Sequence, residues 1–185
     1  MELDRRLWTY GQLAAELEET NRFHELWDGE LIMSPSPSFL HQKIVERLHD
    51  AMKSWVYPRK LGETATAPLD MVLSPRQTAQ PDILFVAQDR RGIIGDHVDG
   101  PADLVAEVIS PGSRRRDRID KRDLYEQHGV REYWMIDPEA GTVEVLALEA
   151  QQFVLVGRWR SGEVAVSRLL AGFTVPVNRV LAGID

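Results

Sequence analysis

Two short and almost wholly apolar segments, Pro81-Asp82-Ile83-Leu84-Phe85-Val86 and Asp103-Leu104-Val105-Ala106-Glu107-Val108-Ile109, constrain this chain more than any other feature. Runs of this length, rich in branched residues, read as strands buried on both faces, as in a sheet covered by helices. Each also carries an acid where an apolar residue is expected. An ionised carboxylate taken out of water is costly unless it is paired, hydrogen-bonded or bound to a metal. Asp82 can be read as a strand-start residue bonded to a loop, but Glu107, in mid-run, has no local partner in sequence.

The rest of the chain supplies elements to cover such a sheet. Thr9 and Gln12 form a capping box opening a helix with Leu13 and Leu17 on one side, ending near Glu19. Asp28-Gly29, between residues 23–27 and 30–33, is a strong hairpin signal because both types tolerate the positive dihedrals of a type I′ turn. Pro35 and Pro37 break the run, and Ser38 can cap a long helix with Ile44, Val45, Leu48, Met52 and Trp55 on its apolar side, which His41 shares. Further strands are expected at 63–67, 69–73 and 132–137, and a helix at 114–128 closed by Gly129. Residues 142–148 and 152–157 alternate like a peripheral antiparallel hairpin, and Phe173, Val175 and Val177 pack as a short extension. The order predicts an α/β fold, a mixed central sheet flanked by helices with a C-terminal β appendage.

Composition narrows the chemistry. A chain of 185 residues fits one domain spanning 1–185, and 43% hydrophobic with 28% charged residues is ordinary for a globular protein. No apolar stretch approaches the length of a bilayer span, and residues 1–6 lack the plan of a secretion signal, so a cytoplasmic location without membrane attachment is the expectation. Without cysteine there is no thiolate site, which leaves carboxylate, carbonyl and imidazole ligands suited to a hard cation. A net charge of −7 argues against nonspecific coating of nucleic acid. Locally the balance inverts: residues 114–122 hold six basic side chains and two acids. Arginines there oppose the helix dipole, which makes a nearby anion a plausible reason for them.

On a helical wheel Asp117, Lys121, Leu124, Tyr125 and His128 share one side of the segment 114–128. Lys121 can pack its stem and keep its ammonium wet, or it can reach the end of the sheet where Glu107 sits. His41 can be a hydrogen-bonded core or boundary histidine, Glu30 a surface acid of the hairpin, and the run from Arg114 to Arg116 a solvated helix start. Tyr133 and Trp134 read as core. Taken together, Asp82, Glu107 and Lys121 offer what metal-assisted phosphodiester hydrolysis requires: carboxylate ligands, and a lysine to position water or stabilise charge.

These residues carry a resemblance. Pro81-Asp82, Glu107-Val108-Ile109, Arg116-Asp117, Lys121, Tyr125, Gly129-Val130, Glu132-Tyr133-Trp134 and Asp137-Pro138, with Asp28-Gly29-Glu30 and His41-Gln42, closely resemble the Uma-two family of restriction endonucleases, in the PD-(D/E)XK nuclease superfamily. The resemblance covers nearly the whole chain. It implies a restriction-endonuclease-like fold, a Mg2+ site that Mn2+ can also fill, and DNA as substrate. It further implies Asp82, Glu107 and the carbonyl of Val108 as metal ligands, Lys121 as catalytic lysine and Glu30 as an additional acid. His41, Tyr125, Arg114 and Asp117 become supporting or phosphate-side groups. The superfamily lysine two positions after the second acid is replaced here by Ile109, and the resemblance implies that Lys121 on the following helix can supply its role, a migration the family pattern shares.

Three functions are compatible with this reading. The first is a Mg2+-dependent endodeoxyribonuclease. The second is a catalytically inactive nucleic-acid-binding or interaction module keeping the nuclease fold. The third is a structural oligomer built on the β appendage and Ile119. Self-association is compatible with all three, and a homodimer or higher homo-oligomer is expected because nucleases that cut both strands commonly act in pairs.

Overall fold

The computed structural model describes residues 7–16, 24–33, 36–112 and 115–183. Leu17, Phe23, Pro35 and Arg114 lie outside the described residues. In chain order the elements are α1 (Tyr10–Glu16), β1 (His24–Trp27), β2 (Glu30–Met33), α2 (Phe39–Val56), β3 (Gly62–Thr66), β4 (Met71–Ser74), β5 (Gln77–Ala79), β6 (Ile83–Ala87), β7 (Val98–Asp99) and β8 (Leu104–Val108). There follow α3 (Lys121–His128), β9 (Glu132–Asp137), β10 (Thr142–Glu149), β11 (Gln152–Arg160), β12 (Val164–Val166), β13 (Thr174–Pro176) and α4 (Val177–Val180).

Six strands in the order β11-β10-β9-β8-β6-β3 form the central sheet. β8 and β9 run parallel and the other neighbours antiparallel, so the sheet is mixed. The two apolar runs are its middle: β8 is buried throughout and β6 at all but its last residue. Alternation sorts their side chains. Ile83, Phe85, Leu104, Ala106 and Val108 join Ile44, Val45, Leu48, Met52 and Val56 of α2 in one core. Leu84, Val86, Val105 and Ile109 join Leu124 and Tyr125 of α3 in the other. Position 107 has the parity of Val105 and Ile109, so the sheet aims Glu107 at α3.

Local signals are realised as their chemistry requires. Thr9 and Gln12 exchange the two bonds of the capping box, and Ser38 caps α2 by accepting from the amide of His41. Asp28 and Gly29 take φ of 51° and 86° between β1 and β2. Gly62 permits a close approach, since a Cβ there would lie 2.0 Å from the carbonyl oxygen of Val86. Gly129 closes α3 with φ 84°.

Two differences from the sequence expectation have physical causes. The helix expected over 114–128 contains a π-helical turn at Arg116–Asp120, where the Lys121 amide bonds the carbonyl of Arg116. Tyr133 Oη donates to the carbonyl of Asp117 at 2.8 Å, a tertiary bond outside the helix ladder. The C-terminal hairpin is less peripheral than its alternation indicates. β10 pairs with β9 on one side and β11 on the other, and six of its eight residues are buried. The expected appendage is thus continuous with the central sheet, while β12 and β13 pair separately with Phe173, Val175 and Val177 buried. Among the described residues no helix is long and apolar enough to cross a membrane.

Candidate active site

The register of β6 on β8 pairs Ile83 with Ala106 and therefore sets Asp82 beside Glu107 at the sheet end facing α3. A cavity of about 270 Å³ opens there. Its lining includes Glu25, His41, Asp82, Glu107, Val108, Asp117 and Lys121.

Glu107 is the buried centre. Its Oε1 accepts from Lys121 Nζ at 2.8 Å and from Tyr125 Oη at 2.6 Å. Lys121 and Tyr125 lie one helical turn apart on α3, which lets both reach one oxygen. Lys121 Nζ also stands 3.1 Å from Glu25 Oε1. Asp82 Oδ2 accepts from the Val108 amide at 2.7 Å and faces His41 Nε2 at 3.1 Å. Asp82 Oδ1 and Glu107 Oε2 take none of these bonds.

The electrostatics follow from burial. Burial pushes the Glu107 carboxyl well above the usual carboxylate range, against the pull of Lys121. Burial also works against the Lys121 ammonium, but Glu107, Glu25, Asp117 and Asp82 outweigh it and raise its pKa. Tyr125 is driven well above its ordinary value by burial and then by Glu107, which keeps its hydroxyl a proton donor. For His41, burial lowers the pKa, yet the bond to Asp82 prevails and the net direction is upward.

The structure therefore brings together Asp82, Glu107, Val108, Lys121, His41, Tyr125 and Asp117. It does not bring Glu30 with them. Glu30 is exposed, pairs across the hairpin with Trp27, and is not among the residues lining the cavity. The hairpin contributes Glu25, on the same hairpin face as Glu30 but two residues from Trp27, away from the turn and toward the site.

A family model described as "Putative restriction endonuclease" matches residues 9–178. The chain belongs to the Uma2 family. Among solved structures, this Uma2 chain is similar to a crystal structure titled as a "putative nuclease belonging to DUF820" from Anabaena variabilis ATCC 29413. The TM-score is 0.79 at 19% identity, covering 94% of this chain and 97% of that one, which shows a shared fold. No curated protein sequence matches.

The Uma2 site suits a hard divalent ion by donor chemistry. Asp82, Glu107 and the Val108 carbonyl are oxygen donors, as Mg2+ and Mn2+ require. Among the described residues no three His, Asp or Glu side chains form a group spaced to enclose an ion. Few protein ligands with water completing the shell is the habit of Mg2+.

Sequence reasoning missed Glu25, Gln80 and Ser110 as cavity residues. The available signal at Glu25 was an acid inside a short strand beside Leu26. A four-residue strand says little about which end of its hairpin meets the sheet.

Proposed function

We propose that this Uma2 protein is a metal-dependent endodeoxyribonuclease that hydrolyses phosphodiester bonds of DNA, with Mg2+ as its ion and Mn2+ as an alternative. The observation carrying the proposal is the meeting of Asp82, just before β6, Glu107 of β8 and Lys121 of α3 in one cavity, with Lys121 Nζ 2.8 Å from Glu107 Oε1.

Asp82, Glu107 and the carbonyl of Val108 would hold the ion. When bound, it polarises the scissile phosphate and offsets charge developing on its oxygens. Lys121 places an ammonium beside Glu107, where it orients the attacking water and opposes negative charge at phosphorus. Tyr125 fixes the Glu107 oxygen that Lys121 uses. His41 holds Asp82, and Arg116 with the start of α2 gives the cavity wall positive potential for a phosphate. Water adds to phosphorus, the bond to the departing oxygen breaks, and that oxygen leaves with a proton. Cutting both strands of a duplex calls for two such sites, so a homodimer belongs to the proposal.

The test incubates supercoiled, linear, single-stranded and branched DNA with the protein in Mg2+ or Mn2+, beside Glu107→Ala. Cleavage by the wild type alone, lost on chelation, is expected. Cleavage that survives in Glu107→Ala marks a contaminant. Cation binding without cleavage of any DNA form favours the interaction module.

A further inference from the structure

Two buried glutamates of this molecule contrast in how their oxygens are used. Glu132 is fully buried and both oxygens are occupied: Oε1 accepts from Trp134 Nε1 at 2.7 Å and Ser167 Oγ at 2.6 Å, Oε2 from the amides of Arg168 at 2.7 Å and Leu169 at 2.8 Å. That is how a structural carboxylate offsets its desolvation. Glu25 is 3% exposed and only half satisfied. Its Oε1 accepts from the Gln80 amide at 3.0 Å and faces Lys121 Nζ at 3.1 Å. Its Oε2 is buried with no hydrogen-bond partner, and the residue lines the cavity beside Glu107. A buried oxygen without a partner, on a residue that lines a cavity, is an acceptor still to be satisfied by a guest of that cavity.

Charge points to the kind of guest. Glu25, Asp82 and Glu107 bring three carboxylates to the cavity, and Lys121 lies between two of them. Counting His41 as neutral, and with Asp117 and Arg116 contributing opposite signs, the lining keeps a formal charge of −2, which one divalent cation would neutralise. A cation engaging Glu107 would repel Lys121, whose ammonium then needs a second carboxylate to stay in the site.

We propose that Glu25 is a positioning residue of this site: its Oε1 retains Lys121 when Glu107 turns to a divalent cation, and its unpartnered Oε2 strengthens the cavity's hold on that cation. The hairpin β1–β2, outside the central sheet, thereby completes the site. The inference rests on the nuclease reading where it takes Lys121 as functional.

The test titrates Mn2+ calorimetrically into wild type, Glu25→Gln and Glu25→Asp, and measures kcat and KM on DNA in Mg2+. Loss of one nearby negative charge in Glu25→Gln is expected to weaken Mn2+ binding about tenfold and to lower kcat while KM for DNA changes less than about twofold. Glu25→Asp keeps the charge, guards against misfolding of the first variant, and is expected to restore most of the Mn2+ affinity but not kcat, because its shorter arm misses Lys121. Unchanged affinity and kcat in Glu25→Gln would overturn the proposal while leaving the nuclease reading intact. A wild type that binds Mn2+ but cuts no DNA overturns the nuclease reading and the Lys121 part of the inference, and the Mn2+ affinities still decide the part about Oε2.

Discussion

Lys121 Nζ lies 2.8 Å from Glu107 Oε1 across fourteen positions of sequence, and both side chains are almost entirely withdrawn from water. Breaking such a pair from one side leaves an uncompensated buried charge and costs about 3–5 kcal/mol. Lys121→Met is therefore expected to lower unfolding free energy by about that amount in urea titrations. Added Mg2+ should return part of the loss, because a cation takes over compensation of Glu107.

Binding of an ion to the folded chain stabilises it by mass action, about 2.7 kcal/mol at a hundred times the dissociation constant. At about 2–4 °C per kcal/mol for a domain of this size, Mg2+ should raise Tm by roughly 5–10 °C. Asp82→Ala should abolish the gain. An equal Mg2+ response in both proteins in a thermal melt would remove Asp82 from the ligand set.

Arg118 ties the π-helical turn to β9 and β10, bonding Asp137 Oδ2 at 3.1 Å and Glu144 Oε1 at 2.7 Å. Asp137 is 1% and Glu144 5% exposed at their side chains, and Glu144 keeps a second partner in Arg158. Arg118→Leu is expected to cost about 2–4 kcal/mol, below the full penalty of a broken buried pair, since Arg118 is itself partly solvated. Because that turn leads into Lys121, kcat should fall as well. A stability loss with unchanged turnover would show that the clamp does not position the lysine.

Glu132 joins β9 to the chain at Ser167, Arg168 and Leu169. Glu132→Gln retains the shape but replaces one acceptor oxygen with an NH2 donor that meets hydrogen-bond donors, at a cost of about 1–3 kcal/mol. Its Tm should drop while its Mn2+ affinity matches the wild type, the reverse of Glu25→Gln.

His49 gives a pH dependence away from the site. Burial, aided by Lys53, lowers its pKa below the ordinary 6.5, and Nε2 lies 3.0 Å from Thr64 Oγ1. The folded state therefore favours neutral imidazole, and below pH 6.5 the unfolded state binds more protons. Stability from this group is complete above the unfolded pKa and lost as pH falls through the folded one. Urea titrations at pH 7, 6 and 5 should show a shallower decline in His49→Gln. Equal slopes would dismiss the assignment.

The elements legible in sequence were those with a local cause. The capping box at Thr9, the turn at Asp28-Gly29, the Ser38 cap and the runs around Asp82 and Glu107 depend on residues a few positions apart, and all formed as read. The short strands β5 and β7 were not legible. At three and two residues they carry no period, and their pairing with β4 comes from distant segments. The π turn was equally hidden, because the Tyr133 hydroxyl on its Asp117 carbonyl is a tertiary contact.

By itself the sequence determined that Glu107 would be buried in a strand, that Asp82 would stand at the start of another, and that Lys121 and Tyr125 would share a helix face, because periods of 2 and 3.6 act through the local backbone. Which acid of the hairpin arrives at the lysine was decided only by the tertiary structure. Glu25 and Glu30 share one hairpin face, and nothing in their surroundings along the chain separates them. The choice is made by docking: the Leu26 amide bonds Thr78 Oγ1, and Glu25 accepts from Gln80, fifty-five positions away. Long-range register of this kind carries no local signature, since it depends on which surfaces meet once the sheet has formed.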